Sequence, residues 1–149
     1  MDGKKEAEKE ERSGLPSPLD ELLGYRLRRA SMAMMADLLA ALHPLELSAG
    51  EASFLILVGA NPGCPQSDVG RTLEIKRANL TPLVARMKAR GLVVDAPIDG
   101  RSRSLTLTEA GIALRDDALA RIAAADRKVS QGLSIDERAL LATLRSISG

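Results

Sequence analysis

Apolar positions recur at helical spacing from Leu19 to His43, and they do so along two stripes. One runs Leu23, Leu27, Ala30, Met34, Leu38 and Ala41; the other runs Leu22, Tyr25, Met32, Met35, Leu39 and Leu42. A helix apolar over so wide an arc needs two surfaces to pack against. It is either a central core helix or one that turns a stripe to a second subunit. Pro44 ends it. Ser48 and Glu51 then have capping-box spacing and open a short helix through Phe54, Leu55 and Val58. Asn61-Pro62-Gly63 closes that helix, and Pro65 stands at an expected first helical position. Gln66–Leu73 makes two turns and Glu74-Ile75 a corner. Lys76–Arg90 follows as an amphipathic helix with Leu80, Leu83, Val84 and Met87 on one face and Gly91 at its C-terminal cap.

The period then changes. Leu92–Ala96 reads as a strand, Pro97–Ser102 as a turn and Arg103–Leu107 as the returning strand. Thr108 caps a long helix from Glu109 to Val129, and Ser134–Glu137 is a second capping box ahead of Leu140, Leu141, Leu144 and Ile147. The predicted fold is mainly α with a small antiparallel β wing, in the order α-α-α-α-β-β-α-α. Residues 1–18 alternate Lys and Glu and break at Gly14, Pro16 and Pro18, which predicts a charged, disordered tail with nothing to bury.

Composition narrows the class. Of 149 residues, Tyr25 and Phe54 are the only aromatics, so the core is Leu, Ala, Val, Ile and Met, as in packed helices. Net charge is only +1, but residues 66–103 hold eight basic side chains against four acidic ones. One electropositive segment in a balanced chain is the footprint of a surface that meets phosphates. The single cysteine, Cys64, excludes an intramolecular disulfide framework and suits a reducing cytoplasm. The N-terminus lacks an apolar signal region, and no apolar run reaches the roughly 20 residues that span a bilayer, so a cytoplasmic protein without membrane contact is expected.

Two short helices joined at a corner and followed by a basic hairpin have the layout of a winged helix-turn-helix, whose second helix lies in the DNA major groove. Here that helix is Lys76–Arg90, and its outward side carries Ala78, Asn79, Pro82 and Arg86. Asn79 suits an adenine edge, while Ala78 and the Pro82 ring suit thymine methyls. Lys76 and Arg77 are placed for phosphate or guanine, and Thr81 for base or backbone. Pro82 is expected to kink or loosen the first turns. Gln66 and Ser67 begin the preceding helix, whose free N–H groups favour a phosphate. Gly70 inside it points to close helix packing at the corner.

The segment "QSDVGRTLEIKRANLTPLVARMKARGLVVDAPIDGRSRSLTLTEAG" resembles the winged helix-turn-helix of the multiple antibiotic resistance regulator (MarR) family. The landmarks are Gln66-Ser67, the corner at Ile75, "RMKARGLV", the Asp99–Arg101 wing turn and "LTLTEAG". They cover residues 66–111, and the helix order extends the likeness over 19–148. The resemblance implies a homodimeric transcription regulator, joined through helices at both chain ends, that binds a pseudo-palindromic double-stranded DNA operator. It implies that Arg101, Ser102 and Arg103 form a wing entering the minor groove or clasping its phosphates. On it, residues 19–47 form a dimerisation helix, 48–108 the DNA-binding lobe and 109–149 the C-terminal dimerisation helices. "LTPL" around Pro82 also resembles the organic hydroperoxide branch, but the first helix has no cysteine to carry that chemistry.

Many such regulators release DNA when a small phenolic or aromatic ligand binds, and a repressor is the expectation here. "GYRLRRASMAMM" combines Tyr25, Arg28, Arg29 and Met32, a set suited to an aromatic acid with an arginine on its carboxylate or on a phosphate. "YRLRRA" is similar to members that respond to aryl-coenzyme A thioesters from aromatic-acid catabolism. The methionines also fit gap-filling in a dimer core. Cys64, before a helix N-terminus that would lower its pKa, is a candidate redox sensor or a half-buried turn residue. An alternative is a winged-helix protein acting through protein contacts without ligand control. An enzyme is not expected: His43 is the only histidine, no nucleophile–base pair or phosphate loop is legible, and one His with one Cys makes neither a zinc site nor a cofactor site.

Overall fold

Proline and glycine place the breaks between elements. The computed structural model describes residues 15–148, so residues 1–14 of the expected tail lie outside it. The first helix, α1 (Leu23–Leu42), starts later than the apolar pattern suggests. Pro18–Glu21 forms a 3-10 turn instead, and Leu22 is extended at φ −92° and ψ 118°. The chain divides into two compact units between Ala33 and Met34. Within the N-terminal unit, Arg26 holds Asp20 at 3.2 Å.

The larger unit contains the core. A 3-10 turn at His43–Leu45 takes over at Pro44, and Glu46 leaves it in the left-handed region at φ 52°. The helix α2 (Ala49–Ala60) opens on a complete capping box, Ser48 accepting from the Glu51 N–H and Glu51 accepting from the Ser48 N–H. It buries Ala52, Phe54, Leu55 and Val58. Then come β1 (Cys64–Pro65), α3 (Gln66–Thr72), α4 (Arg77–Ala89), β2 (Val93–Pro97), β3 (Arg103–Leu107), α5 (Glu109–Ser130) and α6 (Glu137–Ser148). Fully buried Phe54, Leu55, Val58, Met87 and Leu105 form the centre of the core, with Leu42, Val69, Val84 and Val93 around them.

Three expectations need correction. The wing sheet has a third strand, in the order β1-β3-β2, with Cys64 opposite Leu105 and Pro65 opposite Ser104. Pro65 is therefore an extended edge-strand residue and the N-cap of α3, not its first helical residue. An edge tolerates its missing N–H. The last helix is capped by Asp136, whose carboxylate accepts the Ala139 N–H at 3.2 Å, rather than by a box at Ser134. The helix α4 continues past Pro82 as one helical run. The proline sits on the exposed side, so the Ala78 carbonyl it leaves without an N–H is open to water.

Candidate nucleic-acid interface

The α3–α4 corner is built by small and left-handed residues. Glu74 turns at φ 54°, and the Ile75 N–H returns to the Gly70 carbonyl at 2.8 Å. A Cβ on Gly70 would stand 2.9 Å from the Leu80 side chain and 3.2 Å from the Ile75 carbonyl, so glycine lets the helices close. With Leu80, Leu83, Val84 and Met87 buried beneath α4, the opposite side exposes Arg77, Ala78, Asn79, Thr81 and Pro82. Lys76 is the exposed N-cap. The Thr81 hydroxyl donates to the Arg77 carbonyl at 3.1 Å, which leaves its oxygen free to accept.

The wing follows from strand alternation. Val93, Leu105 and Leu107 are buried, and register puts Asp95 opposite Leu105 and Arg103 opposite Pro97 on that same inner side. Asp95 is a diagonal neighbour of Arg103. Its carboxylate accepts from Lys88 of α4 at 2.5 Å and from Arg103, and these two bonds hold it below the usual carboxylate range. At the tip, Asp99 accepts the N–H groups of Arg101 and Ser102, both at 2.8 Å. Those bonds lower its pKa as well. The turn is thus ordered by a carboxylate, and the Arg101 side chain projects without an ion-pair partner among the described residues.

A groove of about 490 Å³ lies between the start of α3, the start of α4 and the wing, lined among others by Gln66, Ser67, Arg77, Thr81 and Arg101. Ser102 and Arg103 also line it, as does Arg71, which the sequence reading passed over. Its signal was its place in the last turn of α3, one turn from Ser67. Lys76, Ala78, Asn79 and Pro82 lie outside the lining, on the exposed side of α4.

Arg86 has a different partner from the one expected of an outward recognition residue. Its guanidinium reaches Glu51 of α2 at 3.3 Å. Burial alone would raise the Glu51 carboxyl, but bonds from the Ser48 N–H and Arg86 outweigh it and hold the pKa low. Arg90 likewise donates to the carbonyls of Glu46 at 2.9 Å and Leu45 at 3.2 Å. So part of the basic charge in 66–103 is structural. Lys76, Arg77 and Arg101 are left without ion pairs among the described residues.

Behind the wing, the Thr108 hydroxyl donates to the Gly91 carbonyl at 2.6 Å and accepts the Gly111 N–H at 3.0 Å. This joint accounts for "LTEAG": Gly91 turns at φ 70°, and Gly111 passes directly under the Leu92 carbonyl.

Of the candidate effector residues, Tyr25 is half-buried and Arg28, Arg29 and Met32 are exposed on the first half of α1. A hollow of about 450 Å³ there is lined by Leu23, Arg26, Leu27, Arg29 and Ala30, sharing only Arg29 with the expected set. Cys64 is half-buried in β1, and burial raises its thiol pKa, the opposite of the lowering expected from a helix N-terminus. Among the described residues, no three His, Cys, Asp or Glu side chains gather to hold a metal, and no single helix is long and apolar enough to cross a membrane.

Known proteins match this arrangement. The family model described as the MarR family matches residues 45–102. A protein from Thauera aromatica, named as a transcriptional regulatory protein for the hcr operon, is 30% identical over 126 residues, 80% of this chain and 74% of that one. The transcriptional repressor CouR bound to a 23-mer DNA duplex superposes with a TM-score of 0.84 at 36% identity, covering 92% of this chain and 100% of CouR. CouR bound to p-coumaroyl-CoA gives 0.78 at 33% identity, covering 91% and 98%. With its corner and the first wing strand inside the family match and its relatives similar over most of both chains, the protein belongs to the MarR family of transcription regulators.

Proposed function

We propose that the protein is a homodimeric repressor that binds a pseudo-palindromic operator through this groove and releases it when an aromatic acid or its CoA thioester binds. The observation that carries the DNA half is the groove itself, where α3, α4 and the wing tip converge with Arg77 and Arg101 unpaired among the described residues. In this reading α4 enters the major groove. Asn79 reads adenine, Ala78 and Pro82 meet thymine methyls, and Lys76 and Arg77 take phosphate or guanine. Gln66, Ser67 and Thr81 serve the backbone, and Arg101 and Ser102 approach the minor groove. Arg86, held by Glu51, shapes the lobe rather than reading bases.

Apolar surface supports the dimer. Met32, Met34, Met35 and Leu39 of α1 are exposed, as are Ile112 and Leu119 of α5. The helix α6 buries none of its residues although Leu141, Leu144 and Ile147 recur on its apolar side. Apolar side chains left open along three helices are what an interface with a second copy would cover. The effector half draws on CouR, solved with p-coumaroyl-CoA, and on Tyr25, Arg28, Arg29 and Met32 as the candidate aromatic and anion contacts. The test is fluorescence anisotropy on a labelled duplex, titrated with p-coumaroyl-CoA and with free p-coumarate. The proposal expects release by one of them and weaker release from Arg28→Ala or Arg29→Ala. DNA affinity unmoved by every aromatic acid and thioester tried would remove the effector half.

A further inference from the structure

The two wing arginines stand two residues apart but have different surroundings. Arg101 lies beyond the last paired residues, in the turn that Asp99 orders. Arg103 is in phase with buried Leu105 and Leu107, so its side chain leaves from the inner side of the hairpin, where Asp95 holds it. The same carboxylate holds Lys88 of α4, and its own side chain is only 9% exposed. One carboxylate therefore ties the recognition helix to the wing and pairs with two half-exposed cations of the basic segment.

We propose that Asp95 is a positioning and specificity-determining residue that withholds Arg103 and Lys88 from the phosphate backbone, leaving Arg101 as the wing's cationic DNA contact. The proposal rests on the groove reading above. Its physics is a competition. If Arg103 moved to a phosphate, Asp95 would lose a bonding partner while a second negative charge arrived beside it. Keeping the bridge avoids that repulsion and holds the wing at a fixed angle to α4. A mobile pair of cations would bind any duplex more tightly, because phosphate contacts carry no sequence information. Fixing them trades non-specific attraction for placement.

The experiment is a salt titration of the full-length protein against a labelled duplex of mixed sequence, read by anisotropy. Removing one cation that neutralises a phosphate lowers the slope of log K against log salt by about 0.9. Arg101→Ala is expected to lower the slope by about that amount, while Arg103→Ala leaves it at the wild-type value. Asp95→Asn, which frees both cations, should steepen the slope by about 1–2 and tighten mixed-sequence binding. Asp95→Glu, which keeps the charge, should restore the wild-type slope. An Arg103→Ala slope as low as that of Arg101→Ala, or an Asp95→Asn slope equal to wild type, overturns the proposal. The arginine pair decides the matter even if Asp95→Asn fails to fold. A wild-type affinity insensitive to salt and to Arg101→Ala would instead refute the groove reading, and the proposal with it.

Discussion

Gly111→Ala tests the joint that anchors the DNA-binding lobe to α5. A Cβ at this buried position would lie 2.0 Å from the Leu92 carbonyl oxygen and 3.0 Å from its carbon. Non-bonded heavy atoms meet comfortably at roughly 3.5 Å, so the two backbone segments must part by about 1 Å or more. Neither is a flexible side chain. Overpacking of this kind costs about 1–3 kcal/mol. Parting also stretches the bond from the Thr108 N–H to that carbonyl, now 3.1 Å, and such bonds contribute about 0.5–1.5 kcal/mol. Alanine's better helix propensity returns about 1 kcal/mol. The net is a loss of about 0.5–3.5 kcal/mol, centred near 2, and at roughly 2–4 °C per kcal/mol that centre lowers Tm by about 4–8 °C. Thermal unfolding followed by circular dichroism checks this, at one protein concentration because dimerisation makes Tm concentration-dependent. Gly50→Ala is the control: nothing lies within 4 Å of its Cβ position, and a change of about 1 kcal/mol or less is expected. A Gly111→Ala protein as stable as wild type would refute the reasoning.

Other perturbations address the site directly. Arg101→Ala should weaken duplex binding by about 1–3 kcal/mol in a gel-shift titration, and an unchanged affinity would remove the wing tip from the interface. Glu51→Ala loses a capping box and the partner of Arg86, so urea unfolding should show a loss of about 1–2 kcal/mol, against no change if the cap is idle. Because Asp99 has a depressed pKa, its stabilisation of the wing turn is complete above the ordinary aspartate value of about 3.9 and disappears as pH falls through the folded value. The Ser102 amide resonance should therefore titrate with a midpoint below about 3.9, and a midpoint at or above it would contradict the hydrogen bonds assigned. Burial raises the Cys64 thiol, so iodoacetamide should alkylate it more slowly at neutral pH than a free cysteine peptide; a faster reaction would revive redox sensing.

Several helix boundaries were legible from local rules, although the Ser134 box and Pro65 misplaced two others. The Ser48 box, the Thr108 cap, Gly91 and the buried stripe of α4 each depend on residues within a turn of one another. What escaped the sequence reading depends on longer range. Arg86 meets Glu51 and Arg90 meets Glu46 across segments far apart in sequence, so their charge read as outward and free. The strand β1 has two residues, too few for a period, and exists only because β3 offers it an edge. Arg103 is the instructive case, because the alternation Arg103, Leu105, Leu107 already put it on the inner side. Its side chain is half exposed, as two arginines near a turn suggest, but its pairing with Asp95 depends on the cross-strand register. The effector residues share only Arg29 with the hollow found on α1, since a helix face specifies what is exposed but not what closes over it.

The central claim is that two copies of this groove read an inverted repeat. Selection from a random duplex library with the purified protein, followed by sequencing of the bound fraction, tests it most directly. The account predicts enrichment of a two-fold repeat whose half-sites lie about one helical turn, roughly 10 bp, apart, and loss of that enrichment in Arg77→Ala and Asn79→Ala. Enrichment of a single asymmetric site, or no enriched sequence at all, would contradict it.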